Sequence, residues 1–251
     1  DIFREMKAGK PVVAMVAPAI LGQFSEPIDQ IYGALKAIGF SDVIEVAQGA
    51  MVTTEKEAHE LEEKLEEGQA FMTTSCCPSY IQLAKKHMPE MEKYISTTKS
   101  PMYYTAEIVK AKDPEAKTVF IGPCIAKRKE ATYHDNVDYV MTFEELGSIF
   151  DGFDIDVNKI EPYPMAFNSV KEAHGFAQDG GVTQAVKVFL DKANLPALKV
   201  ANLNKKNIAM LKVYAKTGKC PAPFIEVMAC EGGCASGPAI RTDKATSQKR
   251  M

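Results

Sequence analysis

Two adjacent cysteines, Cys76 and Cys77, stand between a strand-like run and a proline in TTSCCPSY, residues 73–80. A disulfide between neighbours is strained, because side-chain geometry limits which cysteines can bridge. Free cysteines can also pack as small hydrophobic residues. A third interpretation is that one thiolate binds a ligand while its neighbour has a different task beside it. The positions of the other cysteines bear on this choice.

The other motif cysteines also lie at the ends of predicted strands. Short apolar runs alternate with amphipathic stretches, and the predicted strands are 11–20, 42–47, 70–75, 117–124, DYVM at 138–141, LKVANL at 198–203 and FIEVMAC at 224–230. Cys124 and Cys230 end two of them, and Cys234 follows in ACEGGCASG. Ligands of open parallel sheets bind outside the carboxyl ends of strands. We therefore expect the thiols to gather in one crevice, lined also by Ala17 and Pro18.

The segments between the strands carry helix signals. The predicted signals are an N-cap at Ser25, a stop at Gly39, a capping box at Thr54-x-x-Glu57 in an amphipathic helix that runs to Glu67, a start after Ser100-Pro101, and a second capping box at 142–145. The stretch 151–176 is predicted to be rich in loops. Strands that alternate with helices predict a largely parallel sheet.

This order of elements predicts the fold class and its division. We expect an α/β protein with two lobes, each with a mostly parallel β-sheet flanked by helices, and a ligand in the cleft between them. A first lobe at 1–130 would hold the first two cysteine motifs, and a second lobe at 131–251 would hold the third.

Composition narrows the classes of function. A chain of 251 residues with a net charge of −3 and a pI near 5.9 argues against a nucleic-acid partner. No apolar stretch approaches the roughly 18 residues that span a bilayer, so no membrane partner is expected. Six cysteines are too sparse for a secreted disulfide scaffold and favour a reducing, cytoplasmic location with metal-binding or catalytic thiols. The abrupt start at Asp1 predicts a fragment of a longer chain.

Spacing alone leaves several chemistries open for these thiols. Structural zinc sites usually use paired knuckles, and only Cys230 and Cys234 form such a pair. Iron–sulfur clusters also use thiolates, which can come from scattered positions. A thioredoxin-like role is disfavoured because the C-x-x-C motif is absent. Metal or cluster binding is favoured over inert core cysteines, which remain the alternative.

Three segments carry a specific resemblance. TSCCPSY at 74–80, GPCIAKRKE at 122–130 and FIEVMACEGGCASG at 224–237 resemble, in order, the signature segments of the catalytic domain of [FeFe]-hydrogenases. The resemblance implies a [4Fe-4S] cluster held by Cys77, Cys124, Cys230 and Cys234. It also implies a binuclear iron subcluster with CO, CN and an amine dithiolate, bridged through Cys234. Cys220 matches none of these segments and is predicted to be a bystander.

The same resemblance implies roles for other side chains. Cys76 would relay a proton to the amine, and Lys127 would donate to a cyanide ligand. Glu57, Ser96 and Glu60 would carry protons between Cys76 and the surface. The implied residues around the cofactor are Ala17, Pro18, Ser75, Pro101, Met102, Pro123 and Met228. Spacing alone favours other interpretations for three of these residues: a solvated Lys127, a capping role for Glu57, and a solvated helix face for Glu60.

The sequence also departs from the family pattern. Gly122 stands where efficient members have Met, Met102 stands where they have Gln, and ASGPA replaces a glycine-rich stretch after the last cysteine. These changes resemble a sensory branch of the family and predict slow turnover, which Gly122→Met together with Met102→Gln is expected to raise.

The implied reaction is 2 H+ + 2 e- ⇌ H2. The implied partners are H2, protons, a ferredoxin-type electron donor or ferredoxin-like modules, and maturation proteins. The rival hypothesis is an iron–sulfur assembly or interaction protein that keeps only the four-iron cluster.

Overall fold

Two parallel sheets form the framework of the computed structural model, which describes residues 1–165 and 171–251. The strands are β1 Val12–Val16, β2 Asp42–Glu45, β3 Met72–Thr73, β4 Lys117–Gly122, β5 Tyr139–Thr142, β6 Ala197–Ala201 and β7 Phe224–Met228. The first sheet has the order β2-β1-β4-β5 and the second has the order β3-β7-β6. All pairs among these strands are parallel, which confirms the predicted α/β class.

Helices cover the two sheets. The helices are α1 Ile2–Lys7, α2 Ile28–Ile38, α3 Val46–Glu66, α4 Pro78–His87, α5 Pro101–Lys112, α6 Ala126–Ala131, α7 Phe143–Gly152, α8 Lys171–His174, α9 Gly181–Phe189, α10 Lys205–Thr217 and α11 Lys244–Arg250. Short 3-10 turns lie between them, among them Pro18–Gly22 directly after β1. Among the described residues, no helix is both long and apolar enough to cross a membrane.

Each sheet has its own apolar core. All residues of β1 and of β7 are buried, as is usual for central strands of a parallel sheet that is covered on both faces. The largest core surrounds the first sheet and includes Leu35 and Phe143, while Phe71 and Tyr80 belong to a core beside the second sheet.

The two sheets draw strands from both parts of the chain. β3 comes from the first 130 residues but pairs with β7, and β5 comes from the later residues but pairs with β4. The division into lobes at residue 130 stays a prediction, and strand pairing does not follow it.

Several predicted boundaries are confirmed. Gly39 ends α2 in the left-handed conformation, with φ of 117°, and Ser100 caps α5 by accepting a hydrogen bond from the Tyr103 amide. Thr142 and Glu145 form the predicted capping box at the start of α7. Residues 166–170 of the predicted loop-rich stretch lie outside the described residues.

Other predicted boundaries were wrong. Ser25 does not cap α2, which begins at Ile28 after Pro27. The strand predicted at 11–20 ends at Val16, because a 3-10 turn begins at Pro18. The strand predicted at 70–75 is limited to Met72–Thr73.

The most consequential difference concerns α3. This helix begins at Val46, directly after β2, instead of at Thr54. The Thr54 hydroxyl donates to the carbonyl oxygen of Ala50 inside the helix at 2.8 Å, so Thr54-x-x-Glu57 is not a capping box. A threonine within a helix often bonds back to the preceding turn in this way. Glu57 therefore lies well inside a long helix, where tertiary contacts decide its surroundings.

The packing of α3 on α5 depends on a close approach at Gly49. A Cβ atom at this position would overlap the carbonyl oxygen of Pro101 and the hydroxyl of Thr105. Thr105 is itself fixed, because its hydroxyl donates to the Pro101 carbonyl at 2.8 Å. The first turn of α5 therefore rests directly on the backbone of α3.

We expect Gly49→Ala to lower the free energy of unfolding by about 1–3 kcal/mol, because the added methyl group overpacks this contact. Gly152→Ala is a matched control, since no atom lies within 4 Å of a Cβ atom there. Urea unfolding of both variants measures the difference. Equal stability of the two variants would show that the α3–α5 contact adjusts without cost.

Candidate functional site

A cavity lies at the carboxyl ends of strands from both sheets. Its empty volume is about 860 Å³, including its open mouth. The predicted site residues that line it are Cys76, Cys77, Cys124, Cys230, Cys234, Lys127, Ala17, Pro18, Pro101, Met102, Pro123 and Met228. Most of the remaining lining is apolar, which is typical of cofactor sites. The structure thus brings together the thiols of all three motifs.

Each thiol follows a different structural element. Cys77 is the N-cap residue of α4, with Pro78 at the first helical position. Cys124 lies two residues beyond β4, and Cys230 two residues beyond β7. Cys234 opens a 3-10 turn that follows Gly232 and Gly233, both of which have positive φ. A Cβ atom at Gly233 would lie 2.7 Å from the carbonyl oxygen of Ala177, so this turn also needs glycine for space.

The thiol arrangement bears on the choice between zinc and a cluster. Thiolates on one tetrahedral zinc ion, with Zn–S bonds of about 2.3 Å, lie about 3.8 Å apart. Among the residues that the structure describes, no three His, Cys, Asp or Glu side chains are placed to hold one metal ion. A four-iron cube binds each thiolate at a different corner and therefore separates the sulfur atoms more widely. Four thiols that come from the loops after β3, β4 and β7 and line one cavity are the kind of donor set that holds an iron–sulfur cluster.

Burial dominates the electrostatics of the thiols. It raises the pKa of Cys77, although the backbone amides of Tyr80 and Ala229 lower it. Burial, with Cys77 and Cys124 nearby, raises the pKa of Cys230 to about 11. The start of α4, which as a helix N-terminus would favour a thiolate, is therefore outweighed by burial. Cationic iron would be needed to hold these sulfur atoms ionised, as metal binding to thiols displaces their protons.

Cys234 has accessible surface but lies deep in the protein. The thiol faces the cavity, so its exposed surface is not on the exterior. Burial and then the neighbouring thiols raise the pKa of Cys234. Burial also raises the pKa of Cys76 well above its usual value, and the nearby Glu57 and Cys77 add to this effect.

Lys127 is buried beside Cys76 rather than solvated. The residue is 8% exposed, and its Nζ donates to Glu130 Oε2 at 2.6 Å and to the Cys76 carbonyl oxygen at 3.4 Å. The Ser100 hydroxyl donates to the other oxygen of Glu130. Burial lowers the pKa of Lys127, but the Glu130 carboxylate outweighs this effect and the pKa is raised. An ammonium group is therefore fixed at the cavity wall, and the solvated interpretation was wrong.

Glu57 is fully buried near Cys76. Its exposed fraction is 0%, its Oε1 accepts a hydrogen bond from the Ser75 amide at 3.1 Å, and its Oε2 has no partner among the described residues. Burial is the main reason that the pKa of Glu57 rises to about 8. The interpretation as a capping residue is thus replaced by that of a neutral carboxyl group next to Cys76.

Ser96 and Glu60 continue from Glu57 towards solvent. The Ser96 hydroxyl donates to Glu60 Oε2 at 2.6 Å, and it lies close enough to Glu57 to lower the pKa of that group as well. Burial raises the pKa of Glu60, but hydrogen bonds from Ser96, Thr97 and Thr98 outweigh this and lower it. Lys64, whose side chain is 20% exposed, lies 3.5 Å from Glu60. Glu60 is consequently anchored and does not belong to a solvated helix face.

Ser75, predicted beside the cofactor, lies outside the cavity lining, as do Glu57, Ser96, Glu60 and the predicted bystander Cys220. The Ser75 amide donates to Glu57, and the Ser75 hydroxyl donates to the Thr98 carbonyl oxygen at 2.5 Å. Ser75 therefore helps to hold Glu57 in place. Cys220 packs at the edge of the second-sheet core, away from the cavity lining.

Phe120 and Glu226 were not among the predicted site residues. Phe120 lines the cavity. Glu226, 1% exposed, accepts hydrogen bonds from the amides of Gly180 and Thr183 at 2.8 Å each and so holds the start of α9. Its position within an apolar strand, FIEVM, was the available signal, because a charged residue there needs an internal partner.

The family follows from a model match over most of the chain. Residues 10–238 match the model described as the iron only hydrogenase large subunit, C-terminal domain. The chain belongs to this family, and the predicted family is confirmed at this level.

Individual relatives fall into two groups by name. The chain is 29% identical to iron hydrogenase 1 of Clostridium pasteurianum, over 91% of this chain and 50% of that protein. It is 29% identical to the periplasmic [Fe] hydrogenase large subunit of Nitratidesulfovibrio vulgaris, over 94% of this chain and 70% of that protein. It is 24% identical to a probable cytosolic Fe-S cluster assembly factor of Aedes aegypti, over 92% of this chain and 60% of that protein. The chain therefore spans about half of the length of the first of these relatives.

A solved structure shares the fold. A variant of the [FeFe]-hydrogenase HydA1 from Chlamydomonas reinhardtii superposes with a TM-score of 0.75 at 23% identity, over 96% of this chain and 83% of that chain. The described helices and parallel sheets thus form a hydrogenase-like α/β domain.

The raised pKa of Glu57 predicts a pH dependence of stability. The folded protein binds this proton more tightly than the unfolded chain, so the free energy of unfolding falls as pH rises from about 4.5 to about 8. We expect Glu57→Gln to flatten this decline in cluster-free protein, measured by urea unfolding across that range. Glu60→Gln is the control, because the pKa of Glu60 is lowered and its removal should not flatten the decline. An unchanged slope in Glu57→Gln would contradict the assignment of a neutral Glu57.

Proposed function

We propose that this domain catalyses 2 H+ + 2 e- ⇌ H2 as an [FeFe]-hydrogenase. The observation that carries the proposal is the surroundings of Cys76. This thiol lies in the cavity together with the four proposed ligand thiols. The buried Lys127 ammonium donates to the Cys76 carbonyl oxygen, and the buried Glu57 carboxyl group is near enough to raise the pKa of the thiol. None of these three groups is needed to anchor four irons, whereas proton transfer at a reacting centre needs positioned acids and bases.

The proposed cofactors and the protein would have different tasks in the reaction. Cys77, Cys124, Cys230 and Cys234 would hold a [4Fe-4S] cluster, and a binuclear iron group with CO, CN and an amine dithiolate would supply the hydrogen chemistry when bound. The protein's part is to anchor, to exclude water and to deliver protons. Pro18, Met102 and Met228 are lining residues with no titratable group, and they suit a dry cavity wall.

The proposed proton route runs from solvent through Glu60, Ser96 and Glu57 to Cys76. Glu60 holds its charge while Glu57, with its raised pKa, holds a proton near neutral pH. The Ser96 hydroxyl bonds to Glu60 and lies beside Glu57. After Glu57 gives its proton to Cys76 and Glu60 takes one from solvent, the hydroxyl would pass its own proton to Glu57 and accept the proton of Glu60. Lys127 would stay protonated, because Glu130 stabilises its charge, and would act as a fixed hydrogen-bond donor.

The finer assignments complete the proposal. Gly122 and Met102, in place of Met and Gln, support slow turnover and a sensory role within the family. The electron donor would be a ferredoxin-type protein or module, and maturation proteins would supply the binuclear group. A cytoplasmic location stays a proposal, since the relatives include one named periplasmic and one named cytosolic.

A second candidate function follows from the other group of relatives. Proteins named as cytosolic Fe-S cluster assembly factors match the chain at 24% and 26% identity. In this alternative the domain keeps only the four-iron cluster and acts in assembly or protein interaction. Cys76 and Lys127 would then have no task at the cluster.

Replacement of the two adjacent cysteines separates their roles. Cys77→Ala removes one of the four proposed anchors, so iron content of the reconstituted protein should fall. Cys76→Ala leaves the anchors intact and removes a proton step, and a positioned acid–base group typically contributes about 10²–10⁴-fold to rate. We expect normal iron content, normal CO and CN infrared bands and strongly reduced hydrogen turnover in Cys76→Ala. Cys220→Ala is the control, since this thiol lies away from the cavity lining.

The outcomes distinguish the hypotheses. Loss of iron in Cys76→Ala with retention in Cys77→Ala would reverse the two roles. Absence of CO and CN bands after the binuclear group is supplied to the parent protein would favour the assembly alternative.

A further inference from the structure

A glycine that the backbone does not require lies between two residues of the cavity lining, Phe120 and Pro123. Gly122, the last residue of β4, is not among the described glycines with positive φ. A Cβ atom at Gly122 would lie 2.6 and 2.7 Å from Cε1 and Cζ of the Phe120 ring, and 3.2 Å from the Ala17 Cβ atom. Carbon atoms pack best at about 3.5–4.0 Å. The Phe120 ring therefore occupies the space that a side chain at 122 would need.

Phe120 is held in this position by its strand and its burial. Residues two apart on a strand lie on the same face, which places the ring over Gly122. The residue is 4% exposed and belongs to the core of the first sheet while it also lines the cavity. The ring therefore has little freedom to turn away from Gly122.

The same ring faces the buried ammonium group. Lys127 Nζ lies 6.0 Å from the ring centroid of Phe120, at the outer limit for attraction between a cation and an aromatic face. The other groups around Nζ are Glu130 Oε2 at 2.6 Å and the Cys76 carbonyl oxygen at 3.4 Å. The ammonium thus lies among the Phe120 ring from β4, the Glu130 carboxylate from its own helix and the Cys76 carbonyl group from the loop after β3.

We propose that Phe120 is a positioning residue of this site, whose ring forms the cavity wall over Gly122 and confines the Lys127 ammonium against Glu130 and Cys76. Gly122 and Phe120 form one steric unit, so a side chain is accepted at 122 only when the ring is removed. The steric claim is independent of hydrogen chemistry, whereas the importance of a confined ammonium for turnover rests on the proposed function. Gly122→Met, expected from the family pattern to help raise turnover, is obstructed in this chain as long as Phe120 is present.

Four proteins test the steric unit without any bound group: the parent, Gly122→Met, Phe120→Ala, and the double variant. Phe120→Ala should lower the melting temperature by at least about 6 °C, because it leaves a cavity. Gly122→Met should lower it by about 2–12 °C, because the added side chain meets the ring. The melting temperature of the double variant should lie above that of the less stable single variant, by at least half of the loss that this single variant shows. A double variant whose loss equals the sum of the single losses would overturn the coupling, since independent sites add. If Gly122→Met is not recovered folded, Gly122→Ala replaces it in the same cycle.

Pulse acetylation followed by mass spectrometry tests the confinement of Lys127. In the cluster-free chain, Phe120→Leu should raise labelling of Lys127 several-fold over the parent, relative to the exposed lysines. Phe150→Leu is the matched control, because Phe150 is a buried phenylalanine of the same core that does not line the cavity. Equal labelling of Lys127 in the two leucine variants would overturn the positioning role. Both measurements are made without the binuclear group, so absence of hydrogen turnover would leave them intact.

Discussion

Parallel pairing in both sheets is the constraint on which the site depends. Parallel strands point their carboxyl ends towards the same edge, and the loops that leave this edge share one crevice. β4 delivers Cys124 to the crevice, β7 delivers Cys230 and Cys234, and the short β3 delivers Cys76 and Cys77. The thiols are distant in sequence and reach one cavity because the sheets, rather than a local motif, set their positions.

A second constraint follows from burying ionisable groups in this cavity. A charge that is removed from water is stable only with a partner, and the protein meets this condition differently at each group. Lys127 keeps its charge against Glu130. Glu57, one oxygen of which has no hydrogen-bond partner among the described residues, keeps a proton instead. Burial and the neighbouring thiols raise the pKa of Cys230 although Lys244 lowers it, and positively charged iron would offset this penalty on the thiolate.

The long α3 helix connects these two constraints. Its close contact with α5 at Gly49 fixes the helix beside the cavity, and Glu57 and Glu60 lie one turn apart on it. The two carboxyl groups meet different surroundings because one faces the interior and the other meets the hydrogen-bond donors of Thr97 and Thr98. Opposite shifts of the two pKa values result from this placement.

The sequence by itself determined the α/β class, the order of strands and helices and the strand-end positions of the motif cysteines, because apolar periodicity and turn residues act locally. The helix start after Ser100 and the capping box at Thr142 were predictable for the same reason. Only the tertiary structure decided that α3 begins at Val46, that Lys127 is buried, and that the Phe120 ring lies over Gly122. In each of these cases the outcome depends on contacts between segments that pack together in the folded protein, and a local sequence pattern does not contain this information. Burial then decides the surroundings of the Lys127 charge and the space beside Gly122.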